Sequence, residues 1–260
     1  MNSIGLYFHV PFCRGKCPYC DFYSVRCTDG MMDDYTDRMI GQIQYESKKI
    51  GRPADTLYFG GGTPSLLGGR RIRRLAEAAR AGFGLENAEI TVEANPDSVS
   101  PGFFREIRAA GVNRLSLGLQ SANGAELKLL GRTHTAEQAE RAVRDAQEAG
   151  FGSISLDLML AVQDQTEESL ARSVDFCARL DVQHISAYLL QIEPHTAYWK
   201  NRSTLRLPDE DAAAERYLSA CRLLGQHGYR QYEISNFARP GFRSRHNLKY
   251  WRCEEYLGLG

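Results

Sequence analysis

Net charge is the first thing this chain lacks: its 32 lysines and arginines are balanced by 32 aspartates and glutamates over 260 residues. A neutral chain with no basic patch interleaved with aromatics has no electrostatic grip on nucleic acid or on an anionic membrane surface. Long apolar runs are missing too. None approaches the roughly 20 residues of a membrane span, and Met1 to Val10 is too short and too little basic for a secretory signal. The expectation is a cytoplasmic protein with no nucleic-acid partner. Without an export signal the seven cysteines do not read as a disulfide framework, because the cytosol keeps thiols reduced.

What is present begins with those cysteines. Cys13, Cys17 and Cys20 form a C-x3-C-x2-C pattern directly after the apolar run Leu6 to Val10. Thiolates so close in sequence can bind one inorganic centre as soft ligands. Three sulfurs fill three corners of a [4Fe–4S] cubane and leave the fourth iron open to a ligand that is not protein. Zinc, which takes four ligands and favours paired C-x2-C, and unconnected loop thiols are the competing readings; His9 and Cys27 are weak candidates for a fourth zinc ligand. Cys177 and Cys221 lie in phase with leucines and valine on helical faces, where free cysteine packs as a small hydrophobe.

Along the chain, strand and helix patterns alternate. Strands are expected at Leu6–Val10, Thr56–Phe59, Glu89–Glu93, Val112–Leu117, Phe151–Leu156 and His184–Leu190. Helices are expected at about Asp33–Lys48, Arg70–Ala81, after Ser100-Pro101, from Thr135 with Gln138 completing a capping box, Glu167–Arg179 and Asp209–Gln226. Six βα units imply parallel strands with right-handed crossovers. Polar residues gather at the ends of successive strands rather than at one switch point, which favours a barrel over a doubly wound sheet. The expected architecture is therefore α/β: a partial (βα)6 barrel over residues 1–205, with a C-terminal α+β accessory segment over 206–260. In that segment Tyr229–Ile234 is strand-like and Asn236–Lys249 loop-like and basic. Leu257-Gly258-Leu259-Gly260 carries no helical cap or charged tail, and the expectation is a fragment lacking its C-terminal part.

The cysteine pattern, with Tyr19 before its last member, resembles the radical S-adenosylmethionine superfamily. There the open iron is chelated by S-adenosylmethionine, and an electron from the cluster can release a 5′-deoxyadenosyl radical. Tyr7-Phe8-His9-Val10-Pro11-Phe12-Cys13 is similar, more narrowly, to the opening of the oxygen-independent coproporphyrinogen III oxidase family, which includes HemN and HemW. The similarity runs through most of the chain. Gly60-Gly61-Gly62-Thr63-Pro64, alone only a turn, resembles the family's GGGTP element, whose backbone approaches the methionine amino group; this marks Gly61, Gly62 and Thr63. The same resemblance implies cofactor contacts for Glu93, Gln120, Arg132 and Asp157, with Tyr7 closing one side of the pocket and Tyr19 beside the cluster. Carboxylates and amides suit a cationic ligand with a ribose diol, and an arginine fork suits its carboxylate.

Two departures stand out. Phe22 occupies the position where HemN-type oxidases carry one more cysteine, and Ala161-Val162-Gln163-Asp164-Gln165-Thr166 replaces Gly-Leu-Pro-Gly-Gln-Thr. Cys-Pro-Tyr-Cys-Asp-Phe and His246-Asn247-Leu248-Lys249-Tyr250-Trp251 resemble HemW-type haem chaperones instead. An imidazole beside aromatic rings can ligate haem iron, which makes His246 a haem candidate. The resemblance implies a protein that binds a [4Fe–4S] cluster, S-adenosylmethionine and haem. It would deliver haem to respiratory haem proteins at the membrane, draw on an electron donor such as a flavodoxin or ferredoxin, and form a homodimer. The competing expectation is an enzyme, a coproporphyrinogen III oxidase that decarboxylates propionates. Phe22 weighs against it.

Overall fold

The computed structural model describes residues 3–260. The chain runs β1 (Ile4–Val10), α1 (Asp29–Ile50), β2 (Ala54–Gly61), α2 (Gly68–Phe83), β3 (Glu89–Ala94), α3 (Pro101–Ala109) and β4 (Arg114–Gln120). It continues through α4 (Gly124–Leu129), α5 (Ala136–Glu148), β5 (Ile154–Leu160), α6 (Glu167–Arg179), β6 (His184–Leu189) and α7 (Ala197–Lys200). The last elements are α8 (Glu210–Gln226), β7 (Arg230–Gln231), β8 (Asn236–Ala238), α9 (Arg245–Trp251) and β9 (Tyr256–Leu259).

All strands join one sheet in the order β7-β8-β6-β5-β4-β3-β2-β1-β9. Strands β1 to β6 are parallel neighbours in sequence order, as βα units require. Strand β1 does not pair with β6, so the barrel is open. The C-terminal segment supplies both edges: β8 runs antiparallel to β6, and β9 lies parallel to β1.

Strand composition explains the sheet's two faces. Leu115, Leu117 and Leu119 of β4, Ile154, Leu156 and Leu158 of β5, and Leu6, Phe8 and Val10 of β1 alternate with other residues and are buried in the core. Against them pack helix faces such as Ile72, Leu75 and Ala79 of α2, all fully buried. The intervening positions (Arg114, Ser116, Gly118, Gln120; Ser155, Asp157, Met159; Ser186, Tyr188) belong to the concave face, which is consequently polar.

Local signals set many boundaries. Ser100 caps α3 with Pro101 at its first position, and Thr135 and Gln138 complete the capping box of α5. Helix α1 starts earlier than the expected Asp33, because the Thr28 side chain caps it and Asp29 sits in its first turn. The stretch after residue 228 differs more. The expected strand Tyr229–Ile234 shortens to Arg230–Gln231, since Tyr229 is pulled into the core, its hydroxyl donating to the Val182 carbonyl at 2.7 Å. The segment expected to be a loop, Asn236–Lys249, contains strand β8 and the start of helix α9.

Candidate cofactor site

A single cavity of about 770 Å³ occupies the concave face. Cys13, Cys17, Tyr19, Cys20, Gly61, Gly62, Thr63, Glu93, Gln120, Arg132 and Asp157 all line it. Eleven positions singled out from the sequence, spread over 145 residues from 13 to 157, thus meet at one place. Tyr7 and His246 are not on its wall. Tyr7 stacks behind Tyr58, which is, with ring centroids 6.2 Å apart.

The cysteine loop follows β1 and folds back on itself: Cys13 N–H donates to the Val25 carbonyl and Val25 N–H to that of Pro11. All three thiols are free and half-buried. Cys13 Sγ lies 3.4 Å from Thr63 Oγ1, and Arg132 Nη1 donates to Cys17 Sγ at 3.8 Å. Burial pushes the Cys20 thiol up, and charge on Cys17 and Cys13 pushes the same way against a hydrogen bond from the Phe22 backbone. Among the described residues no three His, Cys, Asp or Glu side chains meet tightly enough for a single metal ion. Three sulfurs that share one cavity without converging fit a larger centre whose irons are held by separate corners.

The glycines are explained by backbone contact. Gly62 N–H donates to the Val10 carbonyl at 2.8 Å and Thr63 N–H to that of Phe12 at 2.7 Å. A Cβ on Gly62 would sit 2.7 Å from the Phe12 oxygen and 2.9 Å from its nitrogen. No side chain fits there without moving the cysteine loop. Gly61, at φ 109°, would place a Cβ 2.6 Å from the His9 ring.

Across the cavity, Arg132 Nη2 donates to Asn95 Oδ1 at 2.6 Å and to the Gly118 carbonyl at 2.9 Å, which fixes the guanidinium beside the cysteines. Gln120 ends β4 in left-handed backbone, φ 67°, and its Oε1 accepts from the Tyr188 hydroxyl at 3.3 Å. Such strain in a non-glycine residue clusters at ligand sites. Tyr58 donates its hydroxyl to Glu93 Oε1 at 2.7 Å, and Ser116 Oγ donates to Asp157 Oδ1 at 3.0 Å. Asp157 stands in the middle of β5, not at its end as expected, so it points into the floor of the cavity.

Burial pushes the Glu93 carboxyl up to about 7, with the Tyr58 hydroxyl pulling down and Asp157 pushing up. Burial likewise raises Asp157 to about 6, against its bond from Ser116 and the charge of Arg114. Arg114 is only 2% exposed, lines the same cavity, and has no partner for its Nε among the described residues. Tyr58, Arg114, Ser116, Ser186 and Tyr188 are wall residues that motif reading overlooked. For Arg114 and Ser116 the signal was available in the strict alternation of Arg114-Leu-Ser-Leu-Gly-Leu-Gln120, where the polar set faces one way.

His246 lies at the other end of the barrel, in α9. It is 1% exposed; Nδ1 is 2.8 Å from Thr56 Oγ1 and Nε2 is 2.8 Å from the Tyr250 hydroxyl. In this arrangement neither ring nitrogen is free for an iron.

Known proteins resemble this chain along nearly its whole length. Residues 7–177 match the Radical SAM superfamily. The chain is 42% identical over 258 residues to the heme chaperone HemW of Lactococcus lactis, covering 98% of this chain and 67% of that protein. It is 40% identical over 263 residues to HemW of Escherichia coli, covering 100% and 69%. The structure of the Escherichia coli coproporphyrinogen III oxidase HemN, a radical SAM enzyme, superposes with a TM-score of 0.86 at 27% identity, over 99% of this chain and 63% of that one. This chain therefore spans about two thirds of the length of these proteins.

Proposed function

This chain belongs to the radical SAM superfamily and, within it, to the HemW family, and we propose that it acts as a haem chaperone. Cys13, Cys17 and Cys20 would hold a [4Fe–4S] cluster, and S-adenosylmethionine would lie along the cavity below it. When bound, that pair supplies one-electron cleavage of a sulfonium. The observation that carries the reading is the single cavity shared by the three thiols and the polar wall.

The residues of the wall suit the ligand's parts. Arg132, fixed by Asn95 and the Gly118 carbonyl, presents a cation for the amino-acid carboxylate next to the cluster. The Gly61–Thr63 backbone lets main chain approach the amino group. Glu93, Gln120 and Asp157 offer acceptors for hydroxyls and for positive charge. Tyr7 supports this wall from behind Tyr58, and Tyr19, which lines the cavity, would flank the cluster.

Haem would be the cargo, passed to respiratory haem proteins at the membrane, with a flavodoxin or ferredoxin as electron donor and a homodimer as the working form. Phe22 supports cargo handling over porphyrinogen chemistry: it lies on the cavity rim, 64% exposed, where the oxidases carry a further thiol. The oxidase reading draws on the similarity of fold to HemN. The deciding experiment titrates haem into anaerobically reconstituted protein. A saturable Soret shift is expected. Absence of haem binding, with consumption of coproporphyrinogen and release of 5′-deoxyadenosine, selects the oxidase instead.

A further inference from the structure

The His246–Trp251 motif has a place in the fold that its composition does not announce. Helix α9 is capped by Ser244 and by a residue far away in sequence: Glu89, at the start of β3, accepts from the backbone N–H groups of Arg245 and His246, both at 3.0 Å. Lys249 is buried and pairs with Asp55 at 3.0 Å and Glu254 at 3.2 Å. The helix is thereby pinned against the starts of β2 and β3, closing the base of the barrel.

Within this plug the His246 ring is enclosed. Both nitrogens are engaged, by Thr56 and Tyr250, and a Cβ on Gly5 would come within 3.3 Å of its Cε1. Its face lies against the Tyr58 ring, centroids 5.1 Å apart and planes 23° from parallel. The Tyr58 hydroxyl is the group that donates to Glu93 at 2.7 Å. A continuous path thus leads from the base plug to a carboxylate on the cavity wall: Thr56 holds the imidazole, the imidazole backs the phenol, and the phenol aims Glu93.

We infer that His246 is a positioning residue for the cofactor cavity, acting on Glu93 through Tyr58, and that it is not a haem ligand. The inference rests on reading the cavity as the S-adenosylmethionine site. Ligation of iron would require a free imidazole nitrogen, and the Tyr250 hydroxyl or Thr56 would have to give up its bond to provide one. Backing of Tyr58 needs only the ring where it stands.

The test uses the anaerobically reconstituted protein and three variants, His246→Ala, His246→Phe and Tyr58→Phe. Three quantities are read: S-adenosylmethionine affinity by equilibrium dialysis, the change in the reduced cluster's electron paramagnetic resonance spectrum on adding the cofactor, and haem affinity from the Soret titration. His246→Ala and Tyr58→Phe are expected to weaken cofactor binding about fivefold and to reduce the spectral change. His246→Phe, which keeps a ring over Tyr58 but has no nitrogen to offer iron, should lie nearer the wild type. Haem affinity in both His246 variants should stay within about twofold of wild type.

Loss of haem affinity by about tenfold in His246→Phe, with cofactor binding intact, overturns the inference. So does wild-type cofactor affinity in both His246→Ala and Tyr58→Phe. Should His246→Ala fail to fold, the two phenylalanine variants decide the matter by the same criteria. A wild-type protein that binds no S-adenosylmethionine refutes the cofactor reading itself, and the inference with it, before any variant is compared.

Discussion

The mouth and the base of the barrel carry the two most distinctive motifs of this chain and hold them in opposite ways. At the mouth, Cys13, Cys17 and Cys20 are free thiols, half-buried, and they line an open cavity. At the base, His246 is buried with both nitrogens engaged, and Lys249 with two carboxylates. Each motif contains residue types that bind iron. Only the first presents them to an open cavity. A side chain's chemistry says what it can ligate; its hydrogen-bond saturation says whether it is available.

The sharpest way to break this contrast is to remove one group from each end. Cys17→Ala should abolish the visible charge-transfer absorption of the reconstituted protein while changing the stability of the metal-free form by no more than about 0.5 kcal/mol. A large loss of metal-free stability would mean that the mouth is built like the base.

Next in size is a pH effect from the wall that joins the two ends. Glu93 has its folded pKa raised from 4.5 to about 7. Between those values the folded protein keeps a proton that the unfolded chain has released, so stability falls as pH rises through the window and is flat above it. The fall amounts to at most about 3 kcal/mol, less where cavity water solvates the carboxylate. Denaturant titrations at pH 5 and pH 8 measure it, and Glu93→Gln should remove it, leaving the smaller fall below about pH 6 that Asp157 contributes. S-adenosylmethionine, a cationic ligand, should accordingly bind more tightly as pH rises from 6 to 8.

The smallest expected effect lies at the base. Thr56→Val removes the hydroxyl next to His246 Nδ1 and leaves a buried imidazole nitrogen without a partner. A loss of about 1–2 kcal/mol is expected from urea unfolding, with the cluster absorption unchanged. If stability held steady, the base would be less saturated than its contacts indicate.

Legibility in the sequence followed the range of the interactions. Helix α6 runs from Glu167 to Arg179 as its pattern predicts, and the Thr135–Gln138 capping box forms, because caps and amphipathic periods are settled within a few residues. Helix α9 was hidden in a polar stretch. Ser244 caps it locally, but its first two N–H groups are satisfied by Glu89, at least 156 residues earlier, and no local pattern announces that partner. The same holds for β8, a three-residue strand that exists through pairing with β6 and β7.

For the site, the order of dependence is similar. By itself the sequence determined the cysteine spacing, the triple glycine and the alternation that gives each strand one polar face, because these follow from ligand chemistry, steric permission and the two-residue period of a strand. Tertiary structure decided which of those groups share a cavity, and that Asp157 points to its floor. It also decided that Gly62 is a glycine because the Phe12 backbone lies 2.7 Å from where a Cβ would be. Above all it decided what surrounds the second motif. An imidazole beside tyrosine and tryptophan is a haem ligand or a packed wedge according to what surrounds it; Tyr250 is a neighbour within the same helix, but Thr56 and Tyr58 are brought there only by the closing of the barrel's base.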